Sequence, residues 1–134
     1  PRTLAEQGLR AALEELAAGL PIPTQVIWAG GEGAPSPPDE IAENLYLIAS
    51  EAITNAIRHS GCSRIEAHVE CIGAQNGAVL LTVRDDGGGG AAPTGQGILG
   101  MAARARRLGG TFEAVSPDGG PTTITVRIPT GEQR

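Results

Sequence analysis

A carboxylate and a carboxamide one helical turn apart are the first side chains in this sequence that could do chemistry. Glu51 and Asn55 lie four positions apart in an apolar segment. At about 100° per residue, Asn44 and Arg58 fall on the same side of a helix, and these four residues are called the polar row. Oxygens that point in one direction can hold a hard divalent cation or position a water molecule. The alternatives are an ordinary polar helix border and, for His59, a residue that merely ends the helix.

A second candidate is a glycine-rich segment that follows a predicted strand. Asp85 and Asp86 stand at the end of the strand, and residues 87–90 are all glycine. A carboxylate at such a position can point into a cleft while the glycine backbone approaches a ligand. Residues 95–101, Gly-Gln-Gly-Ile-Leu-Gly-Met, lead into a predicted helix, and the free N–H groups of a helix start suit a phosphate. A flexible surface loop is the alternative, because this spacing is neither a P-loop nor a dinucleotide-binding motif.

Charge and composition restrict the ligands. All ten cations are Arg and the chain has no Lys, which excludes Schiff-base chemistry and a phosphate-binding lysine. The net charge is −5 and only three of 134 residues are aromatic, so neither nucleic acid nor an anionic membrane surface is an expected partner. Cys62 and Cys71 lack metal-ligand spacing, which favours idle thiols in a reducing compartment. A phosphate must therefore be held by Arg, backbone N–H groups or a metal.

Helices and strands are expected to alternate around these residues. Apolar spacing predicts helices over residues 3–20, 39–59 with Asp39 as the N-cap, and 98–108. Period-two alternation and turn residues, among them a turn at 75–77, predict strands over 25–29, 64–71, 78–84, 112–115 and 122–128. Hairpins dominate, and the strand over 64–71 has one polar face. We predict an α+β, two-layer sandwich in which helices cover one face of a mixed sheet.

Three stretches in this order resemble the motifs of the GHKL ATPases. Residues 51–60 resemble the N box, residues 85–89 the first glycine box, and residues 95–101, followed by Arg104 and residues 108–110, the second glycine box. Within that superfamily the last stretch is most similar to short-lid sensor histidine kinases related to nitrate, desaturase and cell-wall-stress sensors. The resemblance covers about residues 7–129 and implies the Bergerat fold, in agreement with the predicted sandwich.

The resemblance also implies roles for individual residues. Asn55 would coordinate the Mg²⁺ that bridges the phosphates of ATP, and Glu51 would lie by the metal or polarise a nucleophile or water. Asp85 would accept a hydrogen bond from the adenine amino group. Asp86, where the family often has Asn, would add a negative charge near the nucleotide. The other implied ATP-binding residues are Arg58 and His59 toward the phosphates, Gly87 and Gly89 at the base and the lid hinge, Gly95, Gly97, Gly100 and Met101 on the phosphate side, and Thr122 near the adenine.

The chain begins at Pro1 without Met, so we expect residues 1–134 to be a single catalytic ATP-binding domain of a longer kinase. The helical dimerisation domain with the phosphoacceptor histidine would then lie elsewhere. The resemblance implies that the longer protein transfers the γ-phosphate of Mg-ATP to that histidine and then to a response-regulator aspartate. The domain itself would bind Mg-ATP in the cytoplasm without autophosphorylation or membrane contact, and any membrane anchor would belong to the rest of the protein.

Two alternatives stay open at this point. One is an anti-sigma-factor serine kinase, which an upstream helical hairpin carrying a histidine would exclude. The other is a degenerate docking module that keeps the fold and binds a partner helix without nucleotide.

Overall fold

Five strands and four helices form the part of the chain that the computed structural model describes, residues 1–30, 35–73, 77–91 and 95–131. The strands are β1 (Thr24–Trp28), β2 (Ile65–Ile72), β3 (Ala78–Asp85), β4 (Thr111–Val115) and β5 (Thr122–Pro129). The helices are α1 (Arg2–Gln7), α2 (Leu9–Ala18), α3 (Asp39–Asn55), which continues as a π-helical turn over Ala56–Ser60, and α4 (Gln96–Arg107). The strand order is β1-β2-β3-β5-β4, and β1 pairs with β2 in parallel while all other pairs are antiparallel. The predicted α+β fold with a mixed sheet is confirmed.

The core lies between one face of the sheet and the helices. Along β2, Ile65, Ala67 and Val69 are buried while His68 and Glu70 are exposed, so the predicted polar outer face is present. The apolar side of α3 packs onto this inner face, and α2 and α4 pack on either side of α3. The residues that α3 buries are Ile41, Ala42, Leu45, Ile48, Ala49, Ala52 and Ile53.

The helices differ from the expectation most at Gly8 and at the start of α3, and α4 begins at Gln96, two residues before the predicted start. The helix predicted over residues 3–20 is divided at Gly8, whose φ of 91° breaks the helix between α1 and α2. Apolar spacing does not reveal this break, because Ala5, Leu9 and Leu13 keep a four-residue spacing across Gly8. At the start of α3 the N-cap is Pro38, and Asp39 is the first helical residue without a capping hydrogen bond. Its carboxylate instead lies in the first turn, where it complements the helix dipole.

Parts of two predicted segments lie outside the described residues. These are Gln75 and Asn76 of the predicted turn, and Ala92, Pro93 and Thr94 of the glycine-rich loop.

Candidate functional site

A cavity of about 400 Å³ opens beside α3, the ends of β3 and β5, and the start of α4. Its size and its mixture of apolar walls with a few polar groups are typical of a small-molecule site. The apolar walls are Ala52, Ala56, Val83, Ile98, Met101 and Ile124. The polar side chains are Asn55, His59, Ser60, Asp85, Gln96 and Thr122, and the lining is completed by Gly89, Gly90, Ala91, Gly95 and Gly97.

Asp85 and Thr122 lie side by side in this cavity, because the last residue of β3 is paired in register with the first residue of the antiparallel strand β5. The Asp85 side chain is nearly buried, with 5% of the residue exposed. One of its oxygens, Oδ1, accepts a hydrogen bond from the N–H of Gly87 at 2.8 Å. Within the described part of the chain no cationic side chain pairs with it. A buried carboxyl with so little protein compensation can accept a further hydrogen bond from a ligand donor.

Ser60 joins the π-helical turn to the glycine segment. Its carbonyl accepts a hydrogen bond from the N–H of Gly88 at 2.8 Å, and its hydroxyl donates to the carbonyl of Ala56 at 2.7 Å. A Cβ on Gly87 would overlap the Ser60 side chain and carbonyl. Gly87 therefore allows the close contact that supports Asp85, although Gly87 itself lies outside the cavity lining.

Glu51 and Asn55 converge on the first turn of α4. A Cβ added to Gly97 would lie 2.5 Å from Glu51 Oε1 and 2.9 Å from Asn55 Nδ2, so only a glycine leaves these two side chains their present positions. Asn55 lines the cavity, whereas Glu51 lines an adjoining groove that also contains Arg104. The sequence prediction that these two residues point in one direction agrees with this geometry.

The start of α4 forms the wall of the cavity near Asn55. Gly95 is the N-cap, no side chain among the described residues caps the helix, and its first turn contains no acidic residue. The first N–H groups of a helix have no acceptor within the helix, and they carry the positive end of its dipole. Gln96, Gly97 and Ile98 contribute this end to the cavity lining, which makes it suited to an anion.

The helix continues after Asn55 as a π-helical turn over Ala56–Ser60, which contains Arg58 and His59. His59 lines the cavity three residues after Ala56 and seven after Ala52, whereas Arg58 is exposed and lies outside the described lining. Of the polar row, Asn55 lines the cavity and Glu51 the adjoining groove, and Arg58 lines neither.

Asp86 points away from the cavity, which corrects the expectation of a negative charge beside the ligand. Its carboxylate accepts hydrogen bonds from the N–H groups of Ser63 at 2.8 Å and Arg64 at 3.0 Å, and from the Ser63 hydroxyl. It lies in a separate shallow groove with Arg64 and Arg84. Asp86 thus ties the end of β3 to the residues just before β2.

These contacts predict a pH-dependent contribution of Asp86 to stability. The hydrogen bonds from the Ser63 side chain, the Ser63 backbone and the Arg64 backbone lower the pKa of Asp86 below its usual 3.8. A lowered folded-state pKa gives a stabilisation that is complete above the unfolded-state value and is lost as the pH falls through the folded-state value. We expect Asp86→Asn to lower the melting temperature near pH 7 and the difference from the native protein to narrow below pH 3.8. Circular dichroism melts of both proteins from pH 7 to below pH 3.8 measure the difference in melting temperature. A difference that does not change with pH would contradict the prediction.

The remaining predicted residues are distributed over the cavity and its surroundings. Gly100 lies with Glu51 in the adjoining groove. Ser60 and Gln96 line the cavity but were not predicted as site residues. The position of Gln96 between two glycines was a usable signal, and Ser60 is the last residue of the stretch that resembles the N box. The predicted residues that line the cavity are Asn55, His59, Asp85, Gly89, Gly95, Gly97, Met101 and Thr122.

Other chemistry in the described part of the chain is sparse. Cys62 is buried and Cys71 is half-buried, neither forms a disulfide, and burial raises the pKa of the Cys71 thiol. Among the described residues no three His, Cys, Asp or Glu side chains are grouped so that they could hold a metal ion. No described helix has the length and apolar character needed to cross a bilayer.

Comparison with known proteins gives consistent matches for the sequence. A family model described as "Histidine kinase-, DNA gyrase B-, and HSP90-like ATPase" matches residues 40–132. Sensor histidine kinase LiaS of Bacillus subtilis is 31% identical over 135 residues, which cover 96% of this chain and 36% of LiaS. Nitrate/nitrite sensor protein NarQ of Escherichia coli is 36% identical over 93 residues, which cover 66% of this chain and 16% of NarQ. The chain thus spans about a third or less of the length of these curated relatives.

Solved structures share the fold. The ATP binding domain of PrrB from Mycobacterium tuberculosis matches with a TM-score of 0.65 at 23% identity, covering 92% of both chains. The histidine kinase domain of the blue-light activated histidine kinase EL346 from Erythrobacter litoralis matches with a TM-score of 0.66 at 22% identity, covering 91% of this chain and 65% of that domain.

Proposed function

Since the chain belongs to the family of histidine kinase-, DNA gyrase B- and HSP90-like ATPases, we propose that it binds Mg-ATP in the cavity beside Asp85. As part of a longer sensor kinase, it would present the γ-phosphate to a histidine on a helical dimerisation domain, for relay to a response-regulator aspartate. This activity belongs in the cytoplasm, where ATP is available. The observation that carries the proposal is the nearly buried Asp85 carboxyl, which has one N–H donor from Gly87 and lines an apolar cavity.

The apolar part of the cavity suits the adenine base. Its amino group is a hydrogen-bond donor that the second oxygen of Asp85 can accept, and the neighbouring Thr122 hydroxyl offers another polar contact. Val83, Met101 and Ile124 provide apolar surface for the faces of the ring. Such a combination of apolar walls and few oriented polar groups gives both affinity and selectivity.

The start of α4 suits the phosphates. The chain has no Lys, and neither Lys nor Arg lines the described part of the cavity, so backbone N–H groups and the His59 ring are the hydrogen-bond donors available to the phosphates there. Mg²⁺ is commonly held by one or two protein oxygens together with substrate phosphates and water. The convergence of Asn55 and Glu51 above Gly97 fits such a shared ion, with the Asn55 oxygen as its ligand. When bound, the ion would neutralise the charge of the phosphates.

We propose that Glu51 assists the transfer. It lines the groove next to the cavity, and Gln96, Gly97 and Met101 line both. A histidine nitrogen that enters by this groove would attack the γ-phosphorus, the bond from that phosphorus to the bridging oxygen of ADP would break, and the imidazole proton would pass to Glu51. Positioning and charge neutralisation would account for most of the rate.

Calorimetric titration of the native protein tests the proposal. We expect ADP and a non-hydrolysable ATP analogue to bind at low salt with millimolar Mg²⁺, and both to bind more weakly after chelation. Absence of binding under the Mg²⁺ condition would contradict the proposed function.

Replacing Asn55 tests the metal assignment. We expect Asn55→Ala to lower the Mg²⁺-dependent affinity about ten-fold or more, the scale of a lost bond to a charged group, and to change the metal-free affinity little. Asn44→Ala is the matched control, because Asn44 is on the same helix but its amide donates to the Glu40 carbonyl at 2.9 Å, away from the cavity. Equal losses with and without Mg²⁺ would show that Asn55 does not act through the metal.

A further inference from the structure

The glycine segment after β3 is bonded to the turn between β4 and β5. The N–H of Gly119 donates to the carbonyl of Gly88 at 2.8 Å, and the N–H of Gly90 donates to the carbonyl of Ser116 at 3.0 Å. These bonds hold a cavity-lining part of the chain against a turn that lies more than 25 residues later in sequence.

The Ser116 hydroxyl lies at the centre of this contact. Its Oγ accepts a hydrogen bond from the N–H of Ala91 at 2.9 Å and lies 2.7 Å from Thr122 Oγ1. Thr122 lines the cavity beside Asp85, whereas Ser116 is half-buried and outside the lining. Ser116 therefore reaches the cavity through Thr122 and Ala91.

We propose that Ser116 is a positioning residue for base selectivity, which orients the Thr122 hydroxyl so that its proton points into the cavity. This inference rests on the nucleotide-binding function proposed above. The Ser116 hydroxyl has one proton, and its oxygen already accepts from Ala91. Thr122 Oγ1 lies within hydrogen-bond distance and can accept that proton. A Thr122 oxygen that accepts from Ser116 keeps its own proton for a ligand.

The resulting wall presents a donor next to an acceptor. Thr122 supplies the donor, and the second oxygen of Asp85 supplies the acceptor. Adenine carries an amino donor beside a ring-nitrogen acceptor, whereas guanine carries a carbonyl acceptor beside an N–H donor. The wall therefore pairs with adenine, whereas guanine would bring donor to donor and acceptor to acceptor. A site whose buried polar groups are left unpaired by one ligand binds that ligand much more weakly than the other. Without Ser116, the Thr122 hydroxyl could rotate and serve as donor or acceptor.

Dissociation constants for ADP and GDP test this role. We expect Ser116→Ala to weaken ADP binding about five-fold and to leave GDP binding unchanged or slightly stronger, so that the preference for ADP falls at least about five-fold. Ser116→Thr, which keeps a hydroxyl, should restore the preference. Ser36→Ala is the control, because Ser36 is an exposed serine outside the cavity lining.

A double-mutant cycle separates positioning from general destabilisation. Thr122→Val should also lower the preference for ADP, and Ser116→Ala should then add no further loss, because Ser116 acts through Thr122. Additive losses, or equal weakening of ADP and GDP by Ser116→Ala, would overturn the inference. A native protein that binds neither nucleotide would contradict the proposed function itself, whereas a native protein with adenine preference that Ser116→Ala leaves intact would overturn the inference alone.

Discussion

Asp85→Asn is expected to weaken the binding of adenine nucleotides by about ten- to a hundred-fold, the range for a hydrogen bond to a charged group. The substitution is nearly isosteric and keeps an oxygen for the N–H of Gly87, which Asp85 Oδ1 accepts at 2.8 Å. The other side-chain atom becomes an amide donor. That donor would face the amino group of adenine, itself a donor, so a favourable contact becomes an unfavourable one.

The same substitution should change the base preference. The carbonyl of guanine is an acceptor and can pair with the amide donor that the substitution introduces, so the preference for ADP over GDP should fall. Titration of both nucleotides with Asp85→Asn measures this change. Asp86→Asn is the matched control, because it removes the neighbouring carboxylate, which bonds to Ser63 and Arg64 and points away from the cavity. Unchanged affinity for ADP in Asp85→Asn would show that the base does not lie against this carboxyl.

Gly89→Ala is expected to cause the largest loss of stability among the substitutions considered. Gly89 has a φ of +65°, and a Cβ at this position would overlap the carbonyl of Pro117 and lie 2.7 Å from the N atom of Gly120. The left-handed backbone costs an alanine about 1–2 kcal/mol, and overpacking against backbone adds about 1–3 kcal/mol. The free energy of unfolding should therefore fall by about 2–5 kcal/mol.

Gly61→Ala separates the two contributions. Gly61 has a φ of +66°, almost the same as Gly89, but among the described residues no atom beyond its chain neighbours lies within 4 Å of its Cβ position. It should lose only the conformational part, about 1–2 kcal/mol. Urea unfolding measures the loss of unfolding free energy in each variant. The loss in Gly89→Ala minus the loss in Gly61→Ala gives the cost of the steric overlap with the β4–β5 turn. Equal losses in the two variants would contradict the close packing at Gly89.

The sheet and the main helix follow from local patterns in the sequence. Alternation between Ile65 and Cys71 predicted a strand with one polar face, and the structure has this strand at Ile65–Ile72. The apolar spacing from Ile41 to Ile53 predicted the buried side of α3. Such patterns are readable because burial against a single core imposes periods of 2 and 3.6 residues on the chain.

The backbone exceptions were not readable in this way. The break at Gly8 and the π-helical turn over Ala56–Ser60 leave the apolar spacing of their segments intact. Both features depend on hydrogen bonds and packing around the turn, which a helical wheel does not contain.

The sequence by itself therefore determined the fold class, the family resemblance and the position of Asp85 at the end of a strand. Tertiary structure alone decided that Asp86 points to Ser63 and Arg64, and that Ser116 bonds to Ala91 and lies within hydrogen-bond distance of Thr122. The physical reason is the range of the interactions. Periodic burial is a pattern among residues that are close in sequence. A hydrogen bond between two loops joins residues that are distant in sequence, so it depends on where the folded sheet places the ends of those loops.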